Sequence, residues 1–152
     1  MQAEEYDYKR WANVMAVYKA TWEAFNVTTV DGYNLTLFHI TGNKTGTFTP
    51  DKDPVLIQHG NLQDAASWLT AYGFNYTGKP MPIQLAEQGY DVWMGNNRGT
   101  EYSRGNNNGD TVEDEKFWAF TYEEMGKYDD PANIKKIKEV TGKDKIFYLG
   151  YS

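Results

Sequence analysis

Short apolar, β-rich runs alternating with helix-patterned stretches constrain this chain more than any other feature of it. Pro54-Val55-Leu56-Ile57-Gln58-His59-Gly60, Tyr90-Asp91-Val92-Trp93-Met94 and Lys145-Ile146-Phe147-Tyr148-Leu149 each read as a short buried strand. Helical patterns separate them. Residues 62–72 form one, and residues 80–88 another, with proline in the first turn and Gly89 just past the end. Residues 131–141 form a third: Asp130 offers an N-cap, Ile134, Ile137 and Val140 share a face, and Gly142 stops it. Strands connected through helices specify an α/β architecture, because a parallel strand can be reached only by crossing over the sheet. The expected sheet is therefore mostly parallel, with flanking helices.

The first quarter of the chain reads differently. Trp11, Val14, Met15, Tyr18 and Trp22 recur at helical spacing, which predicts an amphipathic helix over 4–25. Residues 27–40 read as strand–turn–strand about Asp31-Gly32. The expected organisation is a helical segment over 1–26 and a partial α/β core over 27–152. Loops occupy 42–53 and the Gly- and Asn-rich stretch 95–114.

Composition narrows the function classes. A length of 152 residues suits one domain, and a net charge of −6 disfavours a nucleic-acid partner, which requires clustered cations. With no cysteine, thiolate catalysis and disulfides are excluded. No apolar run approaches the roughly 18 residues of a membrane span, so no transmembrane segment is expected. The acidic, polar N-terminus lacks the plan of a signal peptide. Four sequons, at Asn26, Asn34, Asn43 and Asn75, point the other way, toward secretion with the signal segment not in this sequence.

The chemistry concentrates at Gly150-Tyr151-Ser152, which follows a strand directly. That is the first half of the G-x-S-x-G elbow, in which a strand turns sharply into a helix and exposes a nucleophilic serine. A serine needs a base in hydrogen-bond reach, oriented by a third group. Only His39 and His59 are available. His39 lies mid-strand and reads as a surface or half-buried residue. His59 precedes Gly60 at a strand end, where the following turn presents backbone N–H groups; the reading favoured here is a structural His59 with the Asn61 N–H as an oxyanion donor. Asp110, Glu113, Asp114 and Glu115 lack the spacing of a cation loop and read as a solvated face, so no metal is expected. Glu123, Glu124, Asp129 and Asp130 read as helix-end charge and capping. Gly95, Gly99, Gly105 and Gly109 do not form a dinucleotide fingerprint, so no cofactor is expected either.

Several longer blocks carry a resemblance. Thr29-Val30-Asp31-Gly32-Tyr33, Gln58-His59-Gly60 with Ser67-Trp68, Gly89 through Gly99, Ser103-Arg104, Phe117 through Met125, Lys127-Tyr128-Asp129 and Tyr148 through Ser152 together resemble the acid lipases of the gastric and lysosomal type, within the α/β-hydrolase superfamily. The resemblance implies the N-terminal half of an α/β-hydrolase fold, reaching the nucleophile elbow. It implies a neutral-lipid esterase acting on triacylglycerols or sterol esters, lysosomal or secreted, meeting a lipid interface in the full-length enzyme. Ser152 is the implied nucleophile, with Asn61 N–H and the residue after Ser152 as oxyanion donors. Asn61 stands where the family usually has leucine, and Tyr151 where it often has histidine. In this superfamily the triad runs Ser, Asp, His along the chain, so the expectation is a fragment without base or second oxyanion donor, inactive alone and aggregation-prone at its exposed last strand. Two alternatives stand beside it: a non-catalytic lipase-derived binding or assembly module, and an esterase completed by a separate chain.

Overall fold

A computed structural model of the chain describes residues 8–70 and 78–152. Its elements run α1 (Lys9–Val17), β1 (Ala20–Thr28), β2 (Tyr33–Asn43), β3 (Gly46–Thr47), β4 (Pro54–Gln58), α2 (Ser67–Thr70), α3 (Met81–Glu87), β5 (Asp91–Met94) and β6 (Gly105–Asn106). A 3₁₀ turn (Glu115–Trp118), α4 (Tyr122–Glu124), a π-helical turn (Met125–Asp129), α5 (Asp130–Thr141) and β7 (Phe147–Gly150) follow. The main strands lie in the order β1-β2-β5-β4-β7, with β3 and β6 paired to β2. β4 is parallel to both β5 and β7, while β2 is antiparallel to β1 and β5. The sheet is thus mixed, its parallel half built from the strand–helix alternation and its antiparallel half from the hairpin at Asp31-Gly32.

Strand residues alternate between two apolar faces, because successive side chains point to opposite sides. Phe38, Ile40, Val55, Ile57, Val92 and Met94 pack with Trp11 and Met15 of α1, Leu69 of α2 and Ile83 and Ala86 of α3. Leu35, Leu37, Leu56 and Trp93 face the other way, against Phe117 and Ile137 of α5. Helices on both faces explain why the central strands are apolar throughout rather than alternating with polar residues.

The structure corrects three readings of the sequence. The helix expected over 4–25 ends at Val17; the chain turns at Lys19, with φ +57°, and continues as β1. Nine registered pairs with β2 outweigh the helical spacing of Trp22, which still meets Trp11 edge-on, from the hairpin rather than from the same helix. The 1–26 boundary therefore falls inside a sheet strand; residues 4–7 lie outside those described. The helix expected over 62–72 is the short α2, preceded by turns, with residues 71 and 72 outside the described range, as is the sequon at Asn75. The third helix begins earlier than Pro131, at Tyr122. Thr121 accepts from the Glu123 N–H at 3.1 Å while Glu124 accepts from the Thr121 N–H at 2.7 Å, a capping box that leaves Asp130 free to accept from the Tyr148 hydroxyl at 2.9 Å.

Asp129, expected as helix-end charge, is fully buried. Its carboxylate accepts from the Arg98 N–H and Nε–H, both at 2.9 Å, and the Arg98 guanidinium makes two more bonds to Asp31, at 2.6 and 2.9 Å. The guanidinium also lies 4.0 Å over the Tyr33 ring. One buried cation thus joins the β1–β2 turn, the loop after β5 and the start of α5. Removing one member strands opposite charge in the interior at a cost of about 3–5 kcal/mol. Arg98→Ala is therefore expected to lower the unfolding free energy by roughly that amount, measured by urea denaturation followed through tryptophan fluorescence.

His39 on β2 is held more tightly than a surface residue would be. Its Nδ1 lies 2.8 Å from Glu23 Oε1 on β1 and its Nε2 2.6 Å from Asp91 Oδ1 on β5, with the ring stacked on Trp93 at 3.9 Å. Two carboxylates facing the two ring nitrogens favour the form in which both nitrogens donate, the imidazolium. Burial opposes that charge, but the hydrogen bonds to Asp91 and Glu23 outweigh it and raise the pKa above the ordinary 6.5. A raised folded-state pKa gives stabilisation that is complete below 6.5 and fades as pH rises through the folded value. The stability difference between the wild type and His39→Gln should accordingly be larger near pH 5.5 than near pH 8.5, by urea midpoints at both; an equal difference at the two would contradict it.

Candidate active site

From β4 the chain crosses to β5 on one side, then returns to β7 on the other. The three parallel strands end on one edge of the sheet, where such a reversal opens a crevice. Gln58-His59-Gly60, Gly95-Asn96-Asn97-Arg98 and Tyr151-Ser152 converge there. The Tyr151 N–H donates to the Gln58 carbonyl at 3.2 Å, carrying the β4–β7 ladder one step beyond the strands. Ser152 then lies against Gly60: a Cβ on Gly60 would stand 3.0 Å from both Ser152 Cβ and the Tyr151 carbonyl oxygen, so only glycine fits without displacement. Ser152 is exposed and has φ +52°, a left-handed conformation shared among described non-glycine residues only by Lys19 and Leu62.

The turn after His59 has its own accounting of donors. The Gly60 N–H donates to Gln63 Oε1 at 3.2 Å, the Leu62 N–H to Asn61 Oδ1 at 3.0 Å, and the Gln63 N–H to the Gly60 carbonyl at 3.2 Å. Among the described residues the Asn61 N–H meets no acceptor. Sequence reading singled out Asn61 and Ser152, and the two lie on adjoining loops, on either side of Gly60.

Neither histidine has a ring nitrogen to spare. His59 Nδ1–H donates to the Gly60 carbonyl at 2.8 Å, and Nε2 accepts from the Asn97 N–H at 3.1 Å. Burial lowers its pKa, so the ring is neutral and bridges the loops after β4 and β5. His39 is held by Glu23 and Asp91, as described. Sequence reading missed the buried asparagine that shapes this edge. Asn96 Oδ1 accepts from the Ala65 N–H at 3.0 Å, and its Nδ2–H donates to the Thr36 carbonyl at 2.9 Å. The only signal was two asparagines one residue past a strand, where polar side chains have free strand ends to satisfy. A Cβ at Gly95 would meet Gln58 Oε1, so a side chain there would push the Gln58 amide away from its bond to Asn97 Oδ1.

A cavity of about 700 Å³ adjoins the turn, bounded by Leu62, Asn97, Trp118, Phe120 and Tyr122. Leu62 is 98% exposed and Tyr122 81%, so apolar side chains stand in solvent beside the Asn61 N–H. Of the acidic cluster, Asp110 accepts from Asn106 and Asp114 from Thr111. Among the described residues no three His, Asp or Glu side chains are grouped as metal ligands, and no helix is long and apolar enough to cross a membrane.

Comparison with known proteins places these features in a family. Residues 53–152 match the α/β hydrolase fold family, and residues 12–72 match the partial α/β-hydrolase lipase region. The chain is 42% identical over 131 residues to the human (Homo sapiens) lysosomal acid lipase/cholesteryl ester hydrolase and 41% identical over 133 residues to the Rattus norvegicus gastric triacylglycerol lipase. In both cases 86% of the chain aligns, and it spans 32% of the relative's length. A Pyrococcus furiosus esterase superposes with a TM-score of 0.57 at 17% identity, covering 90% of this chain and 42% of that one, which shows the shared fold. The chain belongs to the α/β-hydrolase fold family, with its sequence similarity falling on the lysosomal and gastric acid lipases.

Proposed function

We propose that Ser152 is the nucleophile of a carboxylic ester hydrolase acting on neutral lipids, and that the Asn61 N–H is one of its oxyanion donors. The observation that carries this reading is the backbone N–H of Asn61, which alone among the backbone donors from Gly60 to Ala65 meets no acceptor among the described residues, in a turn that packs against a serine in left-handed conformation. Strained backbone persists where function holds it, and an unpaired donor beside a nucleophile is what a developing oxyanion requires. Ser152 Oγ attacks the ester carbonyl carbon as a base takes its proton; the carbonyl oxygen becomes the oxyanion facing Asn61. Collapse breaks the C–O bond to the alcohol, which leaves with that proton. Water then attacks the acyl-serine in the same sense and releases the carboxylic acid.

The relatives' printed names, a cholesteryl ester hydrolase and a triacylglycerol lipase, favour sterol esters or triacylglycerols as substrates and a lysosomal or secreted setting. Exposed Leu62, Trp118 and Tyr122 suit an aliphatic ester.

The base must come from outside these 152 residues, since both histidines are committed. Loss of the base of such a triad costs on the order of 10⁶ in rate. The 152-residue polypeptide is therefore expected to show no p-nitrophenyl butyrate turnover above background. In a longer chain that supplies Asp and His, a fluorophosphonate probe should label Ser152, and Ser152→Ala should abolish labelling; label retained in that variant would refute the assignment.

Gly60→Ala offers a second check. Its methyl would press on Ser152 and the Tyr151 carbonyl, so kcat is expected to fall about a hundredfold. Wild-type turnover by Gly60→Ala would show that the approach of Ser152 to the turn is immaterial.

A further inference from the structure

The turn that carries the Asn61 N–H is held in two different ways along its length. Its base, from Asp64 to Ala66, is tied from outside. Arg10 bonds the Asp64 carboxylate, Ser67 Oγ accepts from the Asp64 N–H at 3.3 Å, and Asn96 accepts from the Ala65 N–H. Its tip is not. Asn61, Leu62 and Gln63 are exposed, and among the described residues the side-chain bonds to the backbone N–H groups of Gly60 and Leu62 come from the tip itself, while the His59 ring reaches only the Gly60 carbonyl.

Gly60 is the weak point of that tip, because a residue without Cβ loses the most conformational freedom on being fixed. Gln63 holds it from both sides. Its side-chain oxygen takes the Gly60 N–H, and its own backbone N–H donates to the Gly60 carbonyl, each at 3.2 Å; the carbonyl is shared with His59 Nδ1–H at 2.8 Å, whereas among the described residues only Gln63 meets the N–H. The oxygen assignment of the amide follows from chemistry, since a backbone N–H can only donate. The Gly60 carbonyl and the Asn61 N–H belong to one planar peptide, so fixing the two polar groups of Gly60 fixes where the Asn61 N–H points.

We propose that Gln63 is a positioning residue for ester hydrolysis: its side chain locks Gly60 so that the Asn61 N–H is aimed at the oxyanion before substrate arrives. This rests on the assignment of Ser152 and Asn61 given above. The backbone bond from Gln63 survives any substitution, whereas the side-chain bond needs an acceptor at the Gln63 Oε1 position. Asn61 contributes separately by occupying the Leu62 N–H, so that its own is the one backbone N–H from Gly60 to Gln63 with no acceptor among the described residues.

The test compares Gln63→Met, of similar length and without an acceptor, with Gln63→Glu, which keeps one, in the enzyme as its gene encodes it. Gln63→Met is expected to lower kcat for a short-chain ester about tenfold to a hundredfold, with KM unchanged within twofold, and to slow fluorophosphonate labelling of Ser152 in parallel. Thermal midpoints of wild type and Gln63→Met should agree, because the side chain is exposed. Amide hydrogen exchange at Gly60 should be faster in Gln63→Met and restored to the wild-type rate in Gln63→Glu. Wild-type kcat in Gln63→Met, a loss that appears in KM alone, or unchanged Gly60 exchange would each overturn the positioning role while leaving Ser152 labelled. A wild-type enzyme in which Ser152 takes no label overturns the catalytic assignment itself, and this role with it.

Discussion

The burial of Arg98 between Asp31 and Asp129 is the interaction on which the rest of the molecule depends. A guanidinium out of water is tolerable only when its donors are met, and here the two carboxylates and the Tyr33 ring meet them. The three segments it joins are far apart in sequence and share no strand pairing at that point. Its consequences reach the active edge through the preceding residues. Asn96 holds Ala65 and Asn97 holds His59, so the loop after β5 sets the position of the loop after β4. Loosening Arg98 would loosen the support of the Asn61 turn without touching it.

β5 is only four residues long, yet it lies between β2 and β4 in the sheet, and charge holds it at both ends. At its start, Asp91 accepts from the His39 imidazolium and from the Trp93 indole N–H. Just beyond its end stands Arg98. Hydrophobic burial of Val92, Trp93 and Met94 supplies attraction without direction, whereas these charged bonds fix register and the course of the chain on leaving the sheet. The two ends answer differently to pH. The imidazolium end weakens as the ring loses its proton; the guanidinium end keeps its charge throughout.

At the active edge, support thins in a graded way. Backbone ladder bonds carry β4 and β7 to Tyr151, the buried Asn96 fixes the loop behind them, and the exposed tip from Asn61 to Gln63 relies on its own two amide side chains. That gradient leaves the Asn61 N–H without an acceptor among the described residues, one position along from the Gly60 that Ser152 packs against. Ser152 can approach the turn after β4 this closely only because a residue as small as Gly60 lies between them.

Much of this was legible in the sequence, and the part that was not has a common cause. The strand runs about Leu56, Trp93 and Tyr148, the helix stop at Gly142 and the hairpin at Asp31-Gly32 all follow from residues within a few positions of each other, where local sterics and hydrophobic period decide. The end of α1 at Val17 did not, because pairing with β2 overrides the helical spacing of Trp22. Nor did the burial of Asp129, the two carboxylates on His39, or the bridging of loops by His59 and Asn96. Each of those depends on partners supplied by distant segments, or on a turn whose shape those segments impose. By itself the sequence determined the alternation of elements, the family and the residue types at the elbow. Only the tertiary structure decided which donor is left unpaired and which histidines are spent, because hydrogen-bond partners are assigned by proximity in space.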